Sequence, residues 1–230
     1  TTQQVITSSN SDSQVLTSNS TFGSGTNLFT ADANTAILLQ GNSLTVDEAP
    51  IPNVVTNNNG VVLRQGVSAF GANSYYFDGG DYLKTAQSTD WQFGTGDFSI
   101  EFWVWWNAVA SNQVVVSYGS GNGVEGWKAL FDGTHITMYL GSGIGAPGTL
   151  HGMSEKKWYH WALERKSGVY SSYRNGVDVA SNDATPEGNM VASSSIGITI
   201  GASGGLNQNW VGYIDSIRIS KGITRYGYSG

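Results

Sequence analysis

Apolar and polar positions alternate along Phe98–Trp106. Phe98, Ile100, Phe102 and Val104 fall on one face of an extended chain, and Ser99, Glu101, Trp103 and Trp105 on the other. Shorter runs of the same kind recur. Residues 36–39 (AILL) read as a buried strand, followed by a polar loop to Asn59, and residues 61–64 and 74–77 flank a further loop. Strands also fit Gln113–Tyr118, Trp127–Phe131, residues 135–140, residues 158–165, Val169–Arg174, residues 196–201 and residues 211–220. Asp132-Gly133 and Asn175-Gly176 are two-residue turn formers set between such runs. No stretch carries a helical period. This spacing predicts an all-β fold, a two-sheet antiparallel β-sandwich of the jelly-roll kind, rather than βαβ units.

Residues 1–35 differ. Ser, Thr, Asn and Gln dominate, with small apolar islands at Val5 and Ile6, Val15 and Leu16, and Leu28 and Phe29. Such a segment cannot bury a core of its own. The recurrence of the islands predicts an extended N-terminal arm that docks on something, with neighbouring subunits of a particle as one candidate partner. No internal repeat stands out, so residues 36–230 read as one domain.

Composition sharpens this picture in three ways. Aromatic and charged residues each make up 12% of the 230, alongside 31 glycines and four prolines, which suits many strands joined by tight turns. The formal net charge of −6 repels phosphate backbones and argues against nucleic acid as a partner. The absence of cysteine excludes disulfides and thiolate chemistry, and the lack of an 18-residue apolar run argues against membrane insertion.

Several segments carry a family likeness. They are Phe77-Asp78-Gly79-Gly80-Asp81-Tyr82-Leu83, the run from Asp90 to Val104, Trp158-Tyr159-His160-Trp161-Ala162-Leu163-Glu164-Arg165, Tyr173-Arg174-Asn175-Gly176, and the run from Gly212 to Gly222. In order and content they resemble the laminin G-like branch of the concanavalin A-like lectin/glucanase superfamily. The resemblance implies a sandwich of the kind found in phage virion proteins, in secreted bacterial proteins and beside carbohydrate-active enzymes. A virion-surface or extracellular location follows from it, with a glycan or host-surface polysaccharide as partner.

Some members of that superfamily hydrolyse glucans, which requires two carboxyls about 5–5.5 Å apart for a retaining mechanism. Here Glu101 alternates with Trp103 and Trp105, Glu164 alternates with Ala162 and His160, and no Glu-x-Asp-x-x-Glu run exists. A Ser–His–Asp site lacks a nucleophile elbow, and His135, His151 and His160 do not cluster as zinc ligands would. The expectation is a non-catalytic module, with His160 a packed or hydrogen-bonded strand residue.

Two kinds of candidate site remain. Val211, Tyr213, Asp215, Ile217 and Ile219 share a face if the alternation holds, so Asp215 needs a partner for its carboxylate. Similar domains hold Ca²⁺ with an acidic residue near the first motif, so Asp78, Asp81, Asp97 and Asp215 are candidate ligands for a structural calcium. The alternative is that Asp78 and Asp97 cap turns while Asp215 accepts hydrogen bonds. For sugar stacking the candidates are Trp103, Trp105, Trp106, Trp127 and Trp210, with the Gly-rich loops at 119–126 and 141–148 nearby.

Overall fold

The computed structural model describes residues 4–6, 14–16, 29–106, 112–120, 126–133, 136–140, 143–144, 153–182 and 195–226. Gln4–Ile6 (β1) and Gln14–Leu16 (β2) pair antiparallel with each other, with Val5 opposite Val15. The strands that follow are β3 (Thr35–Leu39), β4 (Val55–Asn58), β5 (Val62–Gln65), β6 (Asn73–Asp78), β7 (Tyr82–Thr85), β8 (Phe98–Trp106) and β9 (Gln113–Tyr118). After them come β10 (Trp127–Phe131), β11 (Ile136–Leu140), β12 (Gly143–Ile144), β13 (Tyr159–Lys166), β14 (Val169–Arg174), β15 (Val177–Asn182), β16 (Ile198–Ile200) and β17 (Val211–Lys221).

They form the two antiparallel sheets of a sandwich. The smaller runs β12-β11-β10-β9-β16-β7-β4; the larger runs β15-β14-β13-β8-β17-β6-β5, with β3 beside the second half of β17. The alternation of β8 decides which face is inside. Phe98, Ile100, Phe102, Val104 and Trp106 are fully buried and join Trp161, Leu163, Ile214, Ile217 and Ile219 of the same sheet. Across the interface they meet Tyr118, Trp127, Ala129, Phe131, Ile198 and Ile200 in one continuous core. Each such aromatic or aliphatic side chain contributes roughly 1.5–3 kcal/mol by leaving water. At the Asn175-Gly176 turn both residues take positive φ, 51° and 77°, so β14 and β15 are joined by the primed turn that matches strand twist.

Three features depart from the sequence expectation. Val55–Asn58 lies within the predicted polar loop, yet it pairs with β7 as the edge of the smaller sheet. An edge strand needs only one buried anchor, here Val55, so it shows no alternation. Second, β17 does not keep a single phase. Its register with β8 shifts between Asp215 and Arg218, and Ser216 there has φ 46°. This bulge adds one residue to the strand. Tyr213 and Asp215 therefore point away from the core while Ile217 and Ile219 point into it, correcting the reading that all five share a face.

The third departure concerns the polar N-terminal segment, whose last residues are packed. Phe29 is 6% exposed and lies under the Arg218 guanidinium, 4.3 Å from ring centre to Cζ. Asp32 accepts a two-pronged pair of hydrogen bonds from Arg225, at 2.5 and 2.8 Å. Phe29 and Asp32 of this segment are thus packed against the larger sheet. No helix among the described residues is long and apolar enough to cross a membrane.

Candidate functional site

The outer face of the larger sheet is divided into two zones. Cross-strand register places Glu101 of β8 beside Ala162 of β13 and Arg218 of β17, and Trp103 beside His160 and Asp215. All of these are buried, because residues 29–32, the loop around Ala69 and the chain end at 224–226 lie over them. Glu101 accepts from Arg218 Nε at 2.7 Å and from the Tyr226 hydroxyl at 2.5 Å, with His160 Nε2 at 3.5 Å. Burial pushes the Glu101 carboxyl up, but the Arg218 guanidinium, the His160 ring and the Tyr226 hydroxyl outweigh it and hold the group at about 2. Glu164 accepts from the backbone N–H groups of Arg225 and Tyr226. Both acids thus hold the segment at 225–226 against the sheet, and Arg218, paired with Glu101, also donates to the Thr30 carbonyl.

Asp215 does the same for a loop. Its Oδ2 accepts the N–H of Ala69 at 2.9 Å and of Phe70 at 3.1 Å, and the Ser216 hydroxyl lies 3.3 Å from Oδ1. Burial still pushes this carboxyl up to about 7, against the pull of those donors. Phe70, so anchored, meets Trp103 edge-on with centroids 5.1 Å apart, and Phe29, Leu38 and Ala69 complete a small apolar cluster around that ring.

Two residues further along β8 the cover ends. Trp105, Tyr213 of β17 and Tyr76 of β6 stand in one cross-strand row, and Trp158, just before β13, extends it. Trp105 stacks on Tyr213 at 4.6 Å; Trp158 lies 6.1 Å from Trp105, and Tyr76 lies 5.0 Å from Tyr213. All four rings are half-buried. Gly212 permits this close approach of the strands. A Cβ there would fall 2.4 Å from the Trp105 carbonyl oxygen, and its φ is 143°. On the edge strand β5, exposed Val62 pairs with Tyr76, and the Arg64 guanidinium lies over the Tyr76 ring at 5.3 Å. The row is a shelf of aromatic faces four strands wide, with a cation at one end.

Of the tryptophans singled out for sugar stacking, Trp105 alone belongs to this shelf. Trp103 is 3% exposed beneath its cover, and Trp106, Trp127 and Trp210 are core residues at 0–1%. None of these four offers a ring face to a ligand. Trp106 follows directly from alternation, since it shares the inward phase of Phe98 and Val104. The missed members are Trp158, Tyr213 and Tyr76. The signal available was parity: Tyr213 shares Asp215's side, and Trp158 shares that of His160.

The four aspartates do not converge. Val211 pairs with Asp78, and Asp81 is tied to Asp78 by an N–H···Oδ1 bond of 2.9 Å. Asp215 lies four residues beyond Val211, about 13 Å at the usual strand rise. Asp97 is beside Gly222, at the far end of β17, and its Oδ1 accepts the Ser167 N–H at 2.8 Å. Asp78 caps its own turn through Gly80 N–H. Burial pushes Asp81 up. Among the described residues no group of three or more acids and histidines is placed to hold a metal, and these four residues do not fit a shared calcium site. His135, His151, residues 121–125 of one Gly-rich loop and residues 141–142 and 145–148 of the other lie outside the described residues.

A search of curated protein sequences finds no match. Among solved structures, domain 4 of AbnA, an extracellular GH43 arabinanase from Geobacillus stearothermophilus determined with arabinotriose, is 16% identical with a TM-score of 0.59, covering 82% of this chain and 93% of that one. The binding domain of botulinum neurotoxin serotype C1 is 15% identical with a TM-score of 0.61, covering 83% of this chain and 49% of that one. A further botulinum neurotoxin type C structure, whose cell entry is described as dependent on two ganglioside molecules, is 15% identical with a TM-score of 0.59 over 83% of this chain and 49% of its own. At these identities the likeness is one of fold. A laminin G model described as "Concanavalin A-like lectin/glucanases superfamily" matches residues 77–223, from the strand that carries Tyr76 to the end of the strand that carries Tyr213 and Asp215, and the chain belongs to that family.

Proposed function

We propose that this chain is a non-catalytic carbohydrate-binding module displayed on a virion or cell surface, and that the Trp158–Trp105–Tyr213–Tyr76 row is its sugar platform. The observation that carries the reading is the row itself. Four rings from four adjacent strands stand half-buried on one face, spaced 4.6–6.1 Å apart. Aromatic faces in such an array suit the apolar faces of successive sugar rings. Two similar folds were determined in sugar contexts, one with arabinotriose and one described through its gangliosides, which supports a glycan as ligand. Catalysis is disfavoured because the two glutamates of this sheet, Glu101 and Glu164, are 0% and 3% exposed and engaged with Arg218, Arg225 and Tyr226.

A glycan array probed with the whole chain tests this. Saturable binding to one class of oligosaccharide, lost in Trp105→Ala and retained in an exposed-surface control such as Val177→Ser, is the expected result. A wild-type chain that gives no specific signal across the array overturns the reading.

A further inference from the structure

The shelf ends on the charge of Arg64. Arg64 is exposed on the edge strand β5, and among the described residues its guanidinium makes no hydrogen bond and no ion pair. Its one recorded contact is the face of Tyr76, 5.3 Å away. Most other arginines here have assigned work. Arg218 holds Glu101, Arg225 holds Asp32, and Arg165 is bonded to the carbonyls of Gly94 and Gly96. A guanidinium held over a ring through this kind of contact leaves its N–H groups available, and their fork matches a carboxylate through two parallel hydrogen bonds. Its stacking also removes part of the rotamer freedom that an exposed arginine would lose on binding.

The opposite end of the row repeats the sign. Exposed Lys156 and Lys157 immediately precede Trp158, with Glu155 in the same turn. The chain as a whole carries −6, so positive charge at both ends of its aromatic shelf runs against the general surface. Asp78, two residues past Tyr76, bounds this field on the β6 side, where its Oδ1 is held by Gly80 N–H.

Resting on the carbohydrate reading above, we infer that the shelf selects acidic oligosaccharides, with a sugar carboxylate seated on Arg64 beside the ring stacked on Tyr76. Neutral rings along Trp105 and Trp158 supply apolar contact, and Arg64 supplies the discrimination. A neutral analogue leaves the guanidinium solvated rather than buried and unpaired, so it is bound more weakly without being excluded.

The test uses matched probes: short oligouronates (galacturonate, glucuronate and mannuronate series), each against its carboxyl-reduced counterpart, titrated into the full chain by calorimetry. The expected result is that in at least one pair the acidic member binds tenfold or more tighter at low salt. That margin narrows in 0.5 M salt and disappears in Arg64→Met, while neutral binding stays within twofold. Equal affinity within every pair, or an acid preference that survives Arg64→Met, overturns the inference and leaves the sugar platform standing. If no member of any pair binds and Trp105→Ala behaves as wild type, the platform fails and the inference with it. Thermal melts of Arg64→Met confirm that the variant is folded.

Discussion

Trp103 and Trp105 project from the same side of the same strand, two residues apart, and have opposite fates. Trp103 is roofed by Phe70, Phe29 and the loop that Asp215 holds by its amides, whereas Trp105 stands half-open beside Tyr213 and Trp158. The strand's own chemistry does not separate them. What separates them is where the rest of the chain lies down. The sealed zone uses its ion pairs and its buried Asp215 to fasten residues 29–32, residues 224–226 and the loop at 69–70, and the open zone keeps its rings half-exposed. The charged residues beneath the cover are engaged in anchoring, whereas Arg64 at the open end lies over the Tyr76 ring.

The comparison breaks most visibly in stability. Trp103→Ala should cost about 3–5 kcal/mol, as truncation of a buried aromatic does, and Arg218→Ala a similar amount because it strands Glu101 as an unpaired buried charge. Trp105→Ala should cost about 1–2 kcal/mol from two lost ring contacts. Denaturant melts of the three variants measure this, and equal losses for Trp103→Ala and Trp105→Ala would erase the distinction between roofed and open positions.

Acidity sharpens the sealed side. Glu101 and Asp32 are held at about 2, Glu101 by Arg218, His160 and Tyr226 against its burial and Asp32 by Arg225, whereas unfolded carboxyls titrate near 4. Folding is thus strengthened as pH rises from about 2 to about 4.5, where the unfolded chain binds more protons. Asp215 acts in reverse. With its folded value raised to about 7, the native state keeps a proton that the unfolded state gives up, and stability falls between about 4 and about 7. Burial pushes Glu164 and Asp81 in the same sense as Asp215. Melting temperature should therefore peak on the acidic side of neutrality. Asp215→Asn keeps an acceptor for Ala69 and Phe70 and should flatten the decline toward pH 7. A variant profile that falls as steeply as wild type would count against Asp215 as its source.

Binding sharpens the open side. Trp105→Ala should weaken glycan binding tenfold or more, about 1.4 kcal/mol, and Tyr76→Ala at the end of the row only a few-fold. Both are read by titration at a pH where each variant is fully folded. If Tyr76→Ala has the larger effect, the centre of the shelf lies nearer β6 than β8.

Much of this was visible in the sequence. The alternation of Phe98–Trp106 sets the inner and outer faces, and the turn dipeptides at 132–133 and 175–176 mark two hairpins. Trp106 could have been assigned inward by counting. The row itself could not be read, because it depends on register: Trp105 meets Tyr213 and Tyr76 only through pairings of residues more than a hundred positions apart. The roof over Trp103 was invisible for the same reason, being built from residues 29–32, 67–70 and 224–226. Asp215 needs a partner on the sequence alone, with backbone N–H groups among the choices; which amides serve, those of Ala69 and Phe70, carries no sequence signal.

Ser216 has a practical consequence. By inserting one residue into β17 it splits the strand into two segments in different reading frames: before it Tyr213 and Asp215 face outward and Ile214 inward, and after it Ile217 and Ile219 pack inward while Arg218 faces outward. The outward positions 211 and 213 can therefore be exchanged without retuning the hydrophobic plug that follows, provided that Gly212, Ile214 and Asp215 are kept. A single deletion at the bulge would instead swap inward and outward positions in one of the two segments. For anyone grafting new recognition onto this sandwich, Ser216 is the joint at which to cut.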